Sequence, residues 1–324
     1  MLKVAGWPLC VSWLTTAWGF GGKRCLMWNS LALRRANIIL DFARAGQRYT
    51  VRDRGGYESR NAATIHLLVE ALESCKARLA NSFRVAVFSD DFVSKPPRAL
   101  HFAYCTDGTQ PGTIAIPDFL FWNWPQVGIA DYERTVESML AAGEREPDDS
   151  RLFWVGNPAT HPTRAQFLEI AARDPRIRGI GTRWIHASAS SGRRMQTVDD
   201  NHITLEDHCR YRYLIDLQGR GYSARVKLLL FSGRPLFLQA RRWKEFYYCD
   251  LQPMVHYVPV REDLSDLGQM LEWAEAHPDQ ARQIAHNARQ YALSHLRRHH
   301  AIEVLASELL KIANGQEGSH SQAG

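Results

Sequence analysis

A chain of 324 residues with 45% apolar and 23% charged side chains has the composition of an ordinary folded protein, neither disordered nor fibrous, and is long enough for two medium cores. The formal net charge of +6 and a pI near 9.0 point to a polyanionic partner or serve solubility alone; nucleotide sugars, phosphorylated glycolipids, anionic membrane and nucleic acid all qualify. Six widely spaced cysteines without a C-x-x-C pair imply neither a zinc ribbon nor a disulfide framework, and reduced thiols are the simplest account.

Residues 1–30 stay unassigned. Lys3 precedes an apolar, Trp-rich run to Phe20 that Gly6, Pro8 and Gly19 interrupt, short for a membrane span and without a small-residue cleavage site. A weak signal segment, an interfacial anchor and a start at Met27 are the alternatives, and no translocation is expected. An α/β domain is expected over 31–147. Within it Asn37 to Ala45 and Asn61 to Leu79 read as helices, the second with Ile65, Leu68, Val69, Leu72 and Ala77 at helical spacing. Phe83 to Phe88 reads as a strand running into Ser89-Asp90-Asp91. Ile114 to Trp124, IAIPDFLFWNW, is either the wall of a cleft or a packed loop.

Glu144 to Ser150 reads as a linker, and from 148 to 296 strands and helices alternate. Strands are expected at Leu152 to Gly156, Tyr213 to Leu217, Leu236 to Gln239 and Val255 to Val260. Helices are expected at Thr163 to Ala172, Ala224 to Ser232, after an Asp263 cap, and from Pro278 to about His295. This alternation predicts an α/β fold with a parallel, doubly wound sheet. A helix over 297–315 and a disordered tail over 316–324 complete the chain. Ligands of such sheets lie beyond the carboxyl ends of the strands, so the loops Gly156 to Arg164, Gln218 to Ser223 and Pro259 to Asp263 should share one crevice.

The segment from Glu206 to Val260 carries the most chemistry. Its apolar run ends in Gln218-Gly219-Arg220-Gly221, and Ser223, Arg225 and Lys227 follow at a helix start. Backbone N–H groups and a helix dipole at such a place can hold a phosphate, and the two cations reinforce it. A diphosphate site for a nucleotide-activated substrate is therefore expected. His186, His202 and His208 are scattered, and Asp90-Asp91 and Asp199-Asp200 are adjacent pairs of the kind that cap turns, so no metal site is expected.

These residues resemble glycosyltransferase family 90. The resemblance is carried by DHCRYRYLIDLQG, the Ser-x-Arg-x-Lys helix start, WKEFYYCDLQPMVHYVPV and DLSDL, and upstream by PDFLFWNW and LFWVG with Thr160 and Arg164. It implies a GT-B-like architecture, two facing Rossmann-like domains with a cleft between them and the donor held by the second. It also implies inverting, metal-independent transfer of a sugar from a UDP-sugar, with no cofactor besides that co-substrate. Asp91 matches the catalytic carboxylate, with Asp90 as the alternative. Arg225 matches the arginine on the diphosphate, beside Gly219, Gly221, Tyr222, Ser223 and Lys227. Asn157, Thr160, Arg164 and Glu245 match donor contacts, and Asp118, Phe121, Trp122 and Trp124 would line the acceptor cleft. The family's usual Arg in the Phe-Trp-x-Gly element is Val155 here, so Arg151 or Arg164 must compensate or donor choice differs.

The expected reaction moves glucose or galactose to a hydroxyl of lipopolysaccharide core or a related surface glycan. A UDP-xylose-dependent capsule or protein O-glycosyltransferase is the enzyme alternative; a non-catalytic nucleotide-sugar or nucleic-acid-binding protein is the alternative of another class. The expected partners are a UDP-sugar donor and a glycan or glycolipid acceptor, with no nucleic acid. Leu296-Arg297-Arg298-His299-His300 reads as an exposed helix face that could lean on anionic lipid. The lack of a clear signal peptide or ER-retention tetrapeptide favours the bacterial branch and a cytoplasmic location, peripheral at the inner membrane face.

Overall fold

The computed structural model describes residues 35–188, 194–198 and 203–315. The readings made for residues 1–30, Asp199, Asp200, His202 and the tail lie outside the described residues.

The first sheet is built from β1 (Ile38–Ala43), β2 (Arg48–Asp53), β3 (Phe83–Phe88), β4 (His101–Ala103) and β5 (Thr113–Ala115), in the order β2-β1-β3-β4-β5. The helix expected from Asn37 is therefore a strand. IILDFA is a short apolar run whose period does not separate helix from strand; antiparallel pairing with β2 on one side and β3 on the other decides it. Only the short turn around Gly46, at φ 72, joins β1 to β2, too short for a parallel crossover. The sheet is thus mixed: β3, β4 and β5 are parallel to one another, and the β1–β2 hairpin makes this half depart from the Rossmann-like pattern expected. Helix α1 (Glu58–Cys75) covers the sheet with Leu67, Leu68, Ala71 and Leu72, and α2 (Tyr132–Gly143) opens on an Asp131 cap that accepts from the Arg134 N–H at 2.9 Å.

The second sheet holds β6 (Asp149–Gly156), β7 (Ile177–Gly181), β10 (Tyr211–Asp216), β11 (Leu236–Gln239) and β12 (Val258–Val260), all parallel, in the order β12-β11-β10-β6-β7. From β6 the chain passes through α3 (Pro162–Ala171) to β7 on one side. It then runs through the hairpin of β8 (Trp184–Ser188) and β9 (Arg194–Val198) and the turn α4 (Leu205–His208) to β10 on the other side. The order reverses between β6 and β10, which puts the binding crevice of a doubly wound sheet beyond those two strand ends. Helix α5 (Val226–Leu229) links β10 to β11. Instead of capping a helix, Asp263 accepts from the Ser265 N–H at 3.0 Å in a turn where Leu264 has φ 60, and α6 (Leu267–Ala276) starts later.

Helices α7 (Pro278–His295) and α8 (Arg298–Ala313) carry the chain back to the first lobe. There Asn81 Nδ2 donates to the Ala313 carbonyl at 2.7 Å, and the Tyr132 hydroxyl donates to the Leu296 carbonyl at 2.6 Å. Arg297 pairs with Glu133 and Glu137, and Arg298 with Asp131. The basic run read as an exposed helix face therefore holds its two arginines in ion pairs at the junction of the lobes. One apolar cluster runs through both lobes, from Leu40 and Leu68 to Leu228, Phe231 and Leu305. Among the described residues no helix is long and apolar enough to cross a membrane.

Candidate active site

β10 buries its side chains from Tyr213 onward and ends on Asp216, a carboxylate with no exposed surface. Arg241 Nη1 donates to one of its oxygens at 2.8 Å. Ser223 Oγ donates to the other at 2.9 Å, as do Arg225 Nε at 3.3 Å and Nη2 at 3.2 Å. Arg225 reaches across to the end of β6, where its Nη1 donates to the Val155 carbonyl at 2.6 Å. Arg164, from the first turn of α3, braces the loop after β10 by donating to the carbonyls of Leu217 at 2.9 Å and Gln218 at 2.8 Å. Three guanidinium groups therefore gather around one carboxylate. Burial opposes the Asp216 charge, but Arg241, Arg225 and Arg164 overcome it and hold the group below the usual carboxylate range. Burial first, and then the Arg225 charge, push Arg164 down to about 9. An anion entering this crowd would relieve the surplus of positive charge.

On the facing lobe, β3 ends in Ser89 and leads into Asp90 and Asp91. Asn37 Oδ1 accepts from the Ser89 N–H at 2.9 Å, and Ser89 Oγ donates to Asn61 Oδ1 at 2.5 Å, so the root of this loop is fixed by buried amides. Arg60 Nη1 donates to Asp91 Oδ1 at 2.8 Å. Burial works against the Arg60 charge, yet Asp91 beside it raises the guanidinium above its usual range. The two loops meet at Gly221, where a Cβ would lie 1.9 Å from the Asp91 carbonyl oxygen.

Between the loops lies a cavity of about 400 Å³. Of the residues singled out in the sequence, Asp91, Asn157, Thr160, Arg164, Gly219, Tyr222, Ser223, Arg225 and Trp124 line it. Asp90 and Gly221 do not, although Gly221 touches Asp91. Two of the three expected loops, those after β6 and β10, form its walls; the loop of Pro259 to Asp263 does not reach it.

The family model described as glycosyl transferase family 90 matches residues 87–311. The chain belongs to this family. Among curated relatives, protein O-glucosyltransferase 1 of Rattus norvegicus is 28% identical over 200 residues, 56% of this chain and 49% of the relative. The O-glucosyltransferase rumi homolog of Aedes aegypti is 39% identical over 97 residues, 29% of this chain and 24% of the relative. The chain thus spans about half the length of the curated relatives it matches most extensively. A solved structure of Anabaena HepE in complex with UDP-glucose aligns at TM-score 0.40 and 12% identity, covering 75% of each chain, too distant to bear on mechanism.

Several of this family-90 chain's expected contacts lie elsewhere. Lys227 is buried, and its Nζ donates to Asp118 at 3.0 Å, to Glu245 at 3.3 Å and to the Ala224 carbonyl at 2.7 Å. Lys227, Asp118 and Glu245 therefore form a buried cluster behind the glycine loop, two carboxyl groups on one ammonium, and do not line the cavity. Phe121 sits beneath the Lys227 ammonium, 5.2 Å from its ring centre. Trp122 stacks on His66 at 4.7 Å, has the Arg298 guanidinium 4.8 Å from its ring centre, and does not line the cavity. Arg151 pairs with Asp149 at the far end of β6, so of the two arginines weighed against Val155 only Arg164 stands at the site.

Four participants escaped the sequence reading: Tyr57, Arg60, Asp216 and Arg241. Asp216 left a signal, a carboxylate closing an otherwise apolar strand. Arg60 left none, since YESRNA reads as the solvated start of a helix.

Proposed function

We propose that this family-90 chain is a GT-B glycosyltransferase that moves glucose from UDP-glucose to an acceptor hydroxyl, with inversion and without a metal. The observation that carries this reading is a single cavity with a carboxylate, Asp91, on the wall from one lobe and a guanidinium cluster on the wall from the other. Family membership supports transfer of a glycosyl group, and the relatives' printed names favour glucose.

In the reaction the acceptor hydroxyl gives its proton to Asp91 as its oxygen attacks the anomeric carbon. The bond from that carbon to the β-phosphate oxygen breaks, and its electron pair leaves with UDP. One displacement inverts the centre. A base held within hydrogen-bond reach contributes about 10²–10⁴-fold. The diphosphate gains charge as it departs, so Arg225 and the surplus charge around Asp216 stabilise the transition state more than the ground state. Tyr57 and Trp124, partly exposed on the wall beside Asp91, give the acceptor side aromatic surface that suits a sugar ring, which favours a glycan acceptor, of lipopolysaccharide core or a related kind. A protein hydroxyl is the second reading, favoured by the relatives' designation as protein O-glucosyltransferases.

The test is UDP release from UDP-glucose, UDP-galactose and UDP-xylose with glycan and protein acceptors in parallel. Asp91→Asn is expected to bind UDP like the wild type and to lose transfer by about 10²–10⁴-fold. Undiminished transfer in that variant would remove Asp91 from the mechanism.

A further inference from the structure

Asp91 is held at three points, and only one of them engages its carboxylate. Arg60, from α1, donates to Oδ1 at 2.8 Å and is itself boxed by aromatic rings. Its guanidinium carbon lies 4.5 Å from the ring centre of Tyr57, 5.1 Å from Phe119 and 5.8 Å from Trp124. The backbone carbonyl of Asp91 receives Cys105 Sγ at 3.3 Å. From the opposite lobe, Gly221 closes on that same carbonyl so nearly that a methyl group there would stand 1.9 Å from the oxygen. Gly221 has no left-handed φ that would call for glycine. What requires glycine is the approach of the other lobe.

We propose that Arg60 and Gly221 are positioning residues for Asp91, so that the loop facing the donor diphosphate also sets the place of the base on the facing lobe. The inference rests on the transferase reading above. Arg60 lies outside the span matched by the family model, which begins at residue 87. A side chain at position 221 forces the Asp91 loop and the glycine loop apart by about 1 Å, a misplacement that costs about 10²-fold in rate. Arg60 fixes which carboxylate oxygen is engaged within the lobe, and its aromatic box limits the swing of the guanidinium.

The experiment is a double-mutant cycle on the full chain, with transfer from UDP-glucose and UDP affinity both measured. Wild-type turnover comes first; if there is none, the transferase reading itself fails and the inference falls with it. With turnover present, Gly221→Ala is expected to lower kcat by about 10²-fold while UDP affinity stays within about threefold. In the Asp91→Asn background the same substitution should change the residual rate by less than about twofold, because nothing remains to be placed. Arg60→Gln is expected to behave likewise, and it decides by the same cycle should Gly221→Ala not fold. Equal losses of kcat in both backgrounds, or a loss of UDP affinity that matches the loss of kcat, would show general disruption and overturn the proposal.

Discussion

Lys227 lies between Asp118 and Glu245 with no more than 3% of any of the three side chains exposed, so two acids share one ammonium. Burial, and then the nearby Asp118 charge, raise Glu245 from the ordinary 4.5 to about 7, with Lys227 opposing the shift. A carboxyl raised in the folded state adds stability that is fully present below its unfolded value and is lost as pH climbs through the folded one. Melting temperature is therefore expected to fall between about pH 4.5 and pH 7, and Glu245→Gln is expected to flatten that slope. Thermal melts of the two proteins across this range check it; an unchanged slope in Glu245→Gln would assign the effect to other groups. The same triad shows what one sequence can disclose about single residues. Arg225 and Ser223 were legible because a glycine loop after an apolar strand marks them. Lys227 carries the same local signature, yet it turns inward because Asp118 approaches it from more than a hundred positions away in sequence. Arg60 is the converse, a residue with no local signature that long-range packing brings to Asp91.

At the scale of elements, the reversal of strand order between β6 and β10 explains why the loops after those strands, and not the loop after β12, form the cavity. The elements themselves were largely readable, since Leu236 to Gln239 is a short apolar run and Pro278 to His295 opens on a proline and sets Ala281, Ile284, Ala285, Ala288 and Ala292 at helical spacing, and neither needs a distant partner to be recognised. β1 was misread because an apolar run without alternation suits either element until its neighbours are known. Helix α5 changes the anion-binding argument as well. Its α-helical part is a single turn, Val226–Leu229, continued by the 3-10 turn Leu230–Ser232, too short for a large macrodipole. Under the proposed function, the charge that would meet a diphosphate is carried by guanidinium groups held on Asp216 at the end of β10. Asp216→Asn would strand Arg241, whose side chain has no exposed surface, and is expected to cost about 3–5 kcal/mol of folding stability. Urea titration checks this, and a loss under about 1 kcal/mol would contradict the anchoring role.

For the whole molecule, the site depends on how two lobes meet, and little of that meeting was legible. The alternation after residue 148 announced one doubly wound sheet, but the contacts that fuse the lobes join distant segments. Thr106 and Lys244 exchange two backbone hydrogen bonds of 2.9 Å. Phe92 packs on Trp243 at 5.0 Å, and Tyr104 on Tyr222 at 5.9 Å. α8 then crosses from the second lobe to lie along α1, and its Arg298 holds the carbonyls of Phe121 at 2.9 Å and Trp122 at 3.1 Å. The crevice is thus already formed, with its cationic wall and its carboxylate facing one cavity. The claim on which everything else depends is that this wall holds the diphosphate of a nucleotide. Isothermal titration of UDP and of uridine into the wild type and Arg225→Ala tests it most directly. UDP should bind the wild type at least about tenfold more tightly than uridine, and Arg225→Ala should lose most of that difference, as expected for a charged hydrogen bond of about 1.5–3 kcal/mol. Equal affinities for UDP and uridine, or an Arg225→Ala variant that holds UDP as the wild type does, would contradict it.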